Sequence, residues 1–499
     1  MGTTSATGSP AVRPEASGVE SGVGGAGSRT REGTAGSSTA AAPASPTPAR
    51  RSRGTRLPGW PLTVLYLGFP LWWALGLATF MFVLVAVPMA IHLLARPQVR
   101  APRGFGPWLA FLAWMLAGVT MLWADAPGAE PGGGGPGRLL VFGFRAAMYV
   151  AATVTCLYVL NADEHDLPTR RVVRLLASMF VVTTCGGLLG VVAPTLEFRS
   201  PMEMLLPRGI ATNEFVSRLI HPAVADVQTI LGYAEARPIA PFAYANSWGA
   251  NFSLFLPFFL LAWLGRDAGW RRAVAPFVLV ISLVPVVYSL NRGLWLALGV
   301  GVCYLALRLV QMGYHRAFAA LVGTLLVGAV TFLVSPLGAM ALRRLESPHS
   351  NDRRERLAVE TVRSVLEGSP LLGFGSTRDV QGSFFSVAGG ATPDCPACGV
   401  PPLGTQGQLW LVIFSQGLVG LALFLAFFSR QLAAAWKDTS PLAVAVCCVL
   451  VFFGIELLVY DTYDAPMVTV MIAIGLLARQ SDARARWLDG RLEREGGTP

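Results

Sequence analysis

The sequence predicts an all-α polytopic membrane protein with about 12 transmembrane helices and a large extracytoplasmic loop that contains short helices. Of its 499 residues, 53% are hydrophobic and only 14% are charged, whereas about 25% of the residues in a soluble domain are charged. The apolar residues also come in blocks of about 20, the helix length that crosses the core of a bilayer. Together these observations exclude a soluble globular enzyme.

The charge balance is strongly basic, with 39 basic and 29 acidic residues and a net charge of +10. In a soluble chain this excess would suggest a nucleic-acid partner, but basic loops on one side of a bilayer account for it in a membrane protein. We therefore expect the lipid bilayer as a partner and no nucleic acid.

The two ends of the chain differ in composition from its middle. Residues 1–57 are rich in Gly, Ser, Thr, Ala and Pro, and they cannot bury enough apolar surface to offset the entropy of ordering. They lack the apolar core of a signal peptide, so we predict a disordered cytoplasmic N-terminal tail. Residues 58–478 form the predicted transmembrane domain, and residues 479–499 form a cytoplasmic C-terminal tail.

The apolar blocks predict where the spans lie. The 35-residue run from Trp60 to Leu94 would be about 52 Å long as one helix. Two spans joined near residues 75–78 therefore fit a bilayer core of about 30 Å better than the alternative of one span. Ten further spans are predicted at 106–123, 139–160, 172–192, 242–264, 273–290, 294–311, 318–340, 406–428, 442–459 and 466–478.

The distribution of arginine predicts the orientation in the cytoplasmic membrane. Alternate short connections and their edges hold thirteen basic residues, and the other short connections hold only Arg138 and Arg292. Basic residues favour the cytoplasmic side. Both termini are then inside, and the long loops 193–241 and 341–405 face the extracytoplasmic side.

The loop 341–405 carries six arginines: Arg343, Arg344, Arg353, Arg354, Arg356 and Arg363. It contains a predicted amphipathic helix from about Asp352 to Glu367, which Asp352 can cap. Arg356 and Arg363 lie seven residues apart and share a face of it, where guanidinium groups suit a planar grip on pyrophosphate. The alternative is a solvated face on which these arginines pair with neighbouring glutamates. The predicted apolar stripe consists of Ala358, Val359, Val362, Val365 and Leu366.

Polar residues at the ends of apolar blocks, or inside them, are further candidates. Arg292 lies in a turn between two spans, where an arginine either serves a function or extends to lipid phosphate. Asn246 and Asn251 open a span and either pack helices together or bind sugar hydroxyls. Glu456 lies within a span, and a carboxylate there needs a partner or a proton.

Several other chemistries have no signature in the sequence. There is no Walker loop, dinucleotide fingerprint or His-Glu-x-x-His helix, and the five histidines do not cluster. We therefore expect no cofactor and no metal site. Cys395 and Cys398 form a close pair in the outer loop, where a local disulfide is favoured over half of a zinc site.

The polar motifs, taken in order, resemble the O-antigen ligase and O-antigen polymerase superfamily over roughly residues 240–430. The motifs are Asn246–Pro257, Ser289-Leu-Asn-Arg-Gly-Leu-Trp295, Arg356–Gly375 ending in Ser-Pro-Leu-Leu-Gly-Phe-Gly, and Gly417-Leu-Val-Gly420. No single motif is specific, and the resemblance rests on their order, spacing and shared outer location.

The resemblance implies a type C glycosyltransferase-like fold and a metal-independent, inverting transferase in cell-envelope polysaccharide biosynthesis. The donor would be a polyprenyl-pyrophosphate-linked glycan and the acceptor a glycan or glycolipid, with a polymerase slightly favoured over a ligase. The family's arginines match Arg292 and Arg356, and Arg208 and Arg363 are further candidates for substrate binding. The alternative is a non-enzymatic transporter or flippase of lipid-linked glycans, which would show paired repeats and broken helices.

The acceptor side departs from the family pattern. Ligases of the family commonly carry a His-Asn pair eleven residues before Gly-x-x-Gly, and this chain has Gln406 and Gly407 there. A glutamine amide orients a hydroxyl but cannot take its proton, so we assign Gln406 to acceptor positioning. Glu456 and His349 are the candidate bases, unless the reaction needs little base assistance. The alternatives are that Glu456 pairs with Arg145 and that His349 is merely exposed.

Overall fold

The computed structural model describes residues 57–132, 135–212, 214–229, 234–265, 267–345, 349–379 and 402–495. These residues are mostly helical. The predicted N-terminal tail, apart from its last residue, and the Cys395–Cys398 pair lie outside the described residues.

The N-terminal part consists of apolar helices. The predicted join near residues 75–78 is confirmed, because one helix ends at Ala74 and the next begins at Ala78, with Gly76 in the left-handed region between them. A further break lies at Gly68. The elements are α1 (Trp60–Leu67), α2 (Phe69–Ala74), α3 (Ala78–Leu94), α4 (Gly106–Ala117), a 3₁₀ turn (Gly118–Met121), α5 (Gly135–Asn161) and α6 (Thr169–Val192).

The loop 193–241 contains a β-hairpin, which corrects the all-α prediction. Its strands are antiparallel, and their register places Asp226 opposite Arg237, so a pair of opposite charges supports the strand pairing. The polar–apolar alternation of these strands is too short and weak to predict from sequence. The elements of this loop are α7 (Pro201–Leu205), α8 (Arg208–Ala211), α9 (Glu214–Ile220), β1 (Ala225–Thr229) and β2 (Ala234–Pro238).

The C-terminal part begins with four apolar helices and ends with three long ones. Between them lie two helices near and within the loop 341–405, and the helix predicted there from about Asp352 to Glu367 is confirmed. The elements are α10 (Ala245–Trp263), α11 (Arg271–Tyr288), α12 (Arg292–Gln311), α13 (His315–Leu333), α14 (Pro336–Leu345), α15 (His349–Gly368), α16 (Gln408–Lys437), α17 (Pro441–Glu456) and α18 (Ala465–Glu495). α18 continues as a helix through most of the predicted C-terminal tail.

Among the residues that the structure describes, six helices are long and apolar enough to cross a membrane: α5, α6, α11, α12, α13 and α16. α3, α17 and the continuous stretch of α4 and the 3₁₀ turn are shorter apolar helices. The chain is therefore a mostly helical, membrane-embedded protein. Its core lies where α10 packs on α6, α18 on α5 and α12 on α17.

α16 is broken at Gly417, whose φ of 65° and ψ of −170° lie outside the helical region. The segment Ser369–Gly375 fills the break. The backbone N–H groups of Phe374 and Gly375 donate to the carbonyl groups of Phe414 and Ser415 at 2.8 and 2.9 Å. Backbone groups inside a membrane protein must find partners, and this pairing explains why the two motifs occur together in the sequence.

Candidate functional site

The turn between α11 and α12 is the centre of the candidate site. Leu290, which is buried, has a φ of 51°, a conformation that L-residues other than glycine rarely adopt and that costs free energy. The surroundings must hold the turn in this shape. The Ser289 and Trp295 side chains both donate to the carbonyl of Val286.

Two buried arginines from other elements bind the carbonyl groups of this turn. Arg237 of β2 donates from Nε to the Ser289 carbonyl at 2.7 Å, and Arg344 of α14 donates from Nε to the Leu290 carbonyl at 3.1 Å. These carbonyls belong to the C-terminal end of α11, where cations are favourable. Two positively charged side chains therefore lie against the carbonyl groups of this turn.

Arg292 and Arg354 complete what we call the arginine cluster, Arg237, Arg292, Arg344 and Arg354. Burial lowers the pKa of Arg344 to about 10, and the positive charges of the other three arginines contribute to this decrease. Burial also lowers the pKa of Arg237 to about 10. Four guanidinium groups from four separate elements therefore lie close enough to repel one another, and an anion among them would relieve the repulsion.

Asp226 and Asp461 bring negative charge near the cluster. Asp226 acts on Arg237 and also pairs with Arg218 at 3.4 Å. Asp461 lies in the turn between α17 and α18 and acts on Arg354, whose pKa burial lowers. Both carboxylates are thus shared with arginines outside the cluster, Asp226 with Arg218 and Asp461 with Arg145, and the cluster keeps an excess of positive charge.

Tyr460 ties the turn to α10 through Asn291. The Tyr460 hydroxyl donates to Asn291 Oδ1 at 2.5 Å, and Asn291 Nδ2 donates to the Ala245 carbonyl at 3.1 Å. Glycine lets these groups approach the helices closely, because a Cβ at Gly249 would lie 2.5 Å from Asn291 Nδ2 and a Cβ at Gly293 would lie 2.6 Å from the Tyr460 hydroxyl, so either side chain would have to shift. This packing accounts for the glycines of two sequence motifs.

Gln406 lies directly before α16, in the left-handed region with a φ of 67°. Its backbone N–H and that of Gly407 donate to the Asp461 carboxylate, the latter at 3.0 Å. Burial raises the pKa of Asp461, and these two hydrogen bonds and the charges of Arg145 and Arg354 oppose the rise. The predicted acceptor residue is therefore adjacent to a carboxylate that sequence reasoning did not select.

Glu456 is fully buried at the end of α17, and the Ser253 hydroxyl donates to its Oε1. No ion pair joins Glu456 to an arginine within the described residues, so the pairing with Arg145 that was weighed above is wrong. Arg145 instead donates to Thr377 Oγ1 at 3.3 Å, and its guanidinium lies over the Tyr463 ring at 5.9 Å. Tyr460 follows Glu456 by one turn and connects this site to the cluster.

α15 presents Arg354 to the cluster and leaves Arg356 exposed. Two helical residues that are two positions apart differ by about 200° around the axis, so the two side chains occupy opposite faces. The predicted apolar stripe is only partly right, because Val365 is buried and Val362 is half-buried, whereas Val359 and Leu366 are exposed. The buried face instead consists of Leu357, Thr361, Ser364 and Val365, and Arg354 extends it by one turn.

The structure does not place the side chains of the other predicted substrate-binding residues on the carbonyl groups of the turn between α11 and α12. Arg363 is exposed and pairs with Glu367 at 3.0 Å and Glu360 at 3.8 Å, as the solvated-face alternative expected. Arg208 is exposed on α8. Asn246 is half-buried, and Asn251 is buried and donates to the carbonyl of Ser247 in its own helix. The side chains of His349 and Cys395–Cys398 lie outside the described residues.

Sequence reasoning missed Arg237, and it named Arg344 and Arg354 only among the six arginines of the loop 341–405, without assigning either to a site. The spacing of Arg354 from Leu357 and Thr361 is the one signal that could have singled it out. The described residues contain no group of three or more His, Cys, Asp or Glu side chains that could hold a metal ion.

Comparison with known proteins does not assign the chain to a family. No protein-family model matches the chain, and no curated protein matches it.

Proposed function

We propose that this protein transfers or polymerises oligosaccharide units from a polyprenyl-pyrophosphate-linked donor to an acceptor hydroxyl. The reaction would take place at the outer face of the cytoplasmic membrane during the biosynthesis of a cell-envelope polysaccharide. It is of the O-antigen ligase type, metal-independent and inverting, and the fold is of the type C glycosyltransferase class.

The arginine cluster is the observation that carries this proposal. In the reaction the acceptor oxygen bonds to the anomeric carbon, the bond from that carbon to the pyrophosphate oxygen breaks, and the lipid pyrophosphate leaves with increased negative charge. Guanidinium groups that are already held in place stabilise this charge without having to reorganise. Arg237 and Arg344 use Nε to bind the turn, which fixes the orientation of their guanidinium planes toward the cluster.

The acceptor side lies next to the cluster in this proposal. Gln406 positions the acceptor, and Asp461, whose charge acts on Arg354, joins Glu456 as a candidate for the group that takes the hydroxyl proton. Carboxylates serve as bases for this purpose when they lie within hydrogen-bonding reach. Asp461 is the stronger candidate, because Glu456 is fully buried behind Tyr460.

The proposal includes twelve spans with both termini in the cytoplasm. Its support is that a helix covers most of each predicted span, with α1 and α2 together taken as the first. The arginine cluster then lies at the outer ends of α11 and α12, and the arginine-rich short connections lie at the opposite ends.

The break in α16 is the observation that favours the alternative, a transporter or flippase of lipid-linked glycans, because transporters use broken helices at their binding sites. The freed backbone groups at Gly417 are, however, bound by the segment Ser369–Gly375 rather than left facing a cavity. We therefore rank transfer above transport.

Lipid profiling of a deletion strain, followed by reconstitution, tests the proposal. A strain without the protein should accumulate the polyprenyl-pyrophosphate-linked glycan on the outer side of the membrane. Purified protein in vesicles should form product and release polyprenyl pyrophosphate from that donor with a chelator present. Accumulation on the inner side, with no product in vitro, would instead identify a flippase.

A further inference from the structure

A second basic site lies at the opposite end of the protein from the arginine cluster, between α1 and the start of α6. Its groove encloses about 560 Å³ and is lined by Thr63, Leu67, Pro168, Arg170, Arg171, Arg174 and Leu175. This volume is in the range of small-molecule sites, about 300–1,000 Å³. The proposed transferase reaction uses none of these residues.

The three arginines lie in the first two turns of α6, where they are electrostatically unfavourable. The positive end of the helix dipole is at this terminus, and like charges four residues apart repel each other, as Arg170 and Arg174 do. Arg271 of α11 adds a fourth positive charge that acts on Arg174. A negatively charged ligand would offset the repulsion among these arginines and their unfavourable interaction with the helix dipole.

The protein groups around the three arginines neutralise their positive charge only in part. Arg170 donates to the Asp267 carbonyl at 3.0 Å and lies 3.5 Å from the Asp267 carboxylate. Both side chains are largely exposed, and an exposed pair contributes little stability. Arg171 donates to Thr63 Oγ1 at 2.9 Å, which holds its guanidinium across the groove. Arg174 makes no hydrogen bond or ion pair with any residue that the structure describes, and of the carboxylates only Asp267 acts on its charge.

The rest of the groove is apolar and lies at membrane depth. Leu67 is 61% exposed at the end of α1, and Leu175 forms the wall on the side of α6. α6 is long and apolar enough to cross a membrane, so its first turns lie where lipid headgroups are. A basic end next to an apolar wall fits a molecule with an anionic head and a hydrocarbon tail.

We propose that this groove binds an anionic glycerophospholipid, with its phosphate on Arg170, Arg171 and Arg174 and an acyl chain along Leu67. Basic pockets between helices at the cytoplasmic surface bind anionic lipid headgroups in this way. A soluble anion would use the arginines but would leave the apolar wall uncovered. By bridging α1 and α6, the lipid would also stabilise the packing of α1 on the rest of the protein.

Native mass spectrometry of the full-length protein in detergent tests the proposal, with phosphatidylglycerol and phosphatidylcholine as probes. The wild type should retain phosphatidylglycerol in preference to phosphatidylcholine. In the variant Arg170→Gln/Arg171→Gln/Arg174→Gln, the affinity for phosphatidylglycerol should fall about 100-fold, because each arginine near an anionic headgroup contributes about a factor of five. The control variant Arg316→Gln/Arg430→Gln/Arg486→Gln loses three exposed charges elsewhere and should bind as the wild type does.

Other outcomes would overturn the proposal. Unchanged binding in the groove variant, or equal retention of the two lipids by the wild type, would show that the groove does not recognise the headgroup. If inorganic phosphate displaces phosphatidylglycerol at equal concentration, the site binds a soluble anion. Should the triple variant fail to fold, Arg174→Gln alone is decisive, because Arg174 has no hydrogen bond to lose among the described residues. It should weaken binding about fivefold, and an unchanged affinity would refute the role of Arg174 and with it the site.

Discussion

The replacement of Gly417 by alanine tests how the segment Ser369–Gly375 and the break in α16 hold each other in place. The backbone at Gly417 has a φ of 65° and a ψ of −170°, a region that essentially only glycine occupies. A Cβ there would clash with the carbonyl oxygen of Leu371 and would lie 2.8 Å from that of Pro370. The segment 370–371 would have to move, and the hydrogen bond from Leu418 N–H to the Pro370 carbonyl at 2.8 Å would break.

The expected loss combines two terms. The unfavourable backbone conformation costs about 1–3 kcal/mol, and a buried backbone group without its partner costs about 1–3 kcal/mol. Gly417→Ala should therefore destabilise the protein by about 2–6 kcal/mol. Gly454→Ala is the matched control, because Gly454 lies in helical α17 and a Cβ added there would meet no atom within 4 Å. Alanine at this position should be neutral or gain up to about 1 kcal/mol.

Thermal unfolding followed by tryptophan fluorescence in detergent measures the difference between the two variants. The midpoint of Gly417→Ala should lie several degrees below that of the wild type, and the midpoint of Gly454→Ala should not. If both variants unfold at the wild-type temperature, the break at Gly417 does not depend on glycine. The explanation given for the paired motifs would then be wrong.

Three further predictions concern a carboxyl group, the cysteines and the topology. Burial raises the pKa of Asp464 to about 7. The folded state therefore binds the proton of this carboxyl group more tightly than the unfolded state does. As a result, the contribution of Asp464 to the free energy of unfolding falls as pH rises from about 4 to 7. The variant Asp464→Asn should lose less stability than the wild type between pH 5 and pH 8, as measured by the unfolding midpoints at these two values. An identical pH dependence in the variant and the wild type would contradict this prediction. Cys395 and Cys398 should form a local disulfide that is structural rather than catalytic. Peptide mass mapping that finds both thiols free would refute this prediction. Single cysteines placed at Thr229 and Gly382 should react with an impermeant thiol reagent in intact cells, and protection of either would refute the outward orientation of its loop.

The sequence was a good guide to features that depend on local pattern. Apolar blocks of about 20 residues predict helices, the excess length of the run from Trp60 to Leu94 predicts the break before Ala78, and the capping and stop signals predict the loop helix that the structure extends from His349 to Gly368. The turn that places Arg292 at the start of α12 was also predicted. Each of these depends on residues that are neighbours in the chain.

Features that depend on long-range packing were not predicted. Arg237 and Arg344 are separated from Arg292 by 55 and 52 residues in sequence, and only the shape of the Ser289–Leu290 turn brings them to it. The face that α15 buries was assigned only in part, because apolar residues lie on more than one side of the helix and tertiary contacts decide which of them pack inward. Because of these contacts, Arg354 rather than the predicted Arg356 belongs to the arginine cluster.

The most direct test of the central claim is the rate of glycan transfer from a purified polyprenyl-pyrophosphate donor in vesicles, measured for variants of the arginine cluster with a chelator present. Arg344→Gln and Arg354→Ala should each lower kcat/KM at least 100-fold, a loss of about 3 kcal/mol of transition-state stabilisation. Arg343→Gln, which removes an exposed charge next to Arg344, should remain within about twofold of the wild type. Wild-type rates in both cluster variants, or the same loss in Arg343→Gln, would contradict the assignment of the arginine cluster to the donor pyrophosphate.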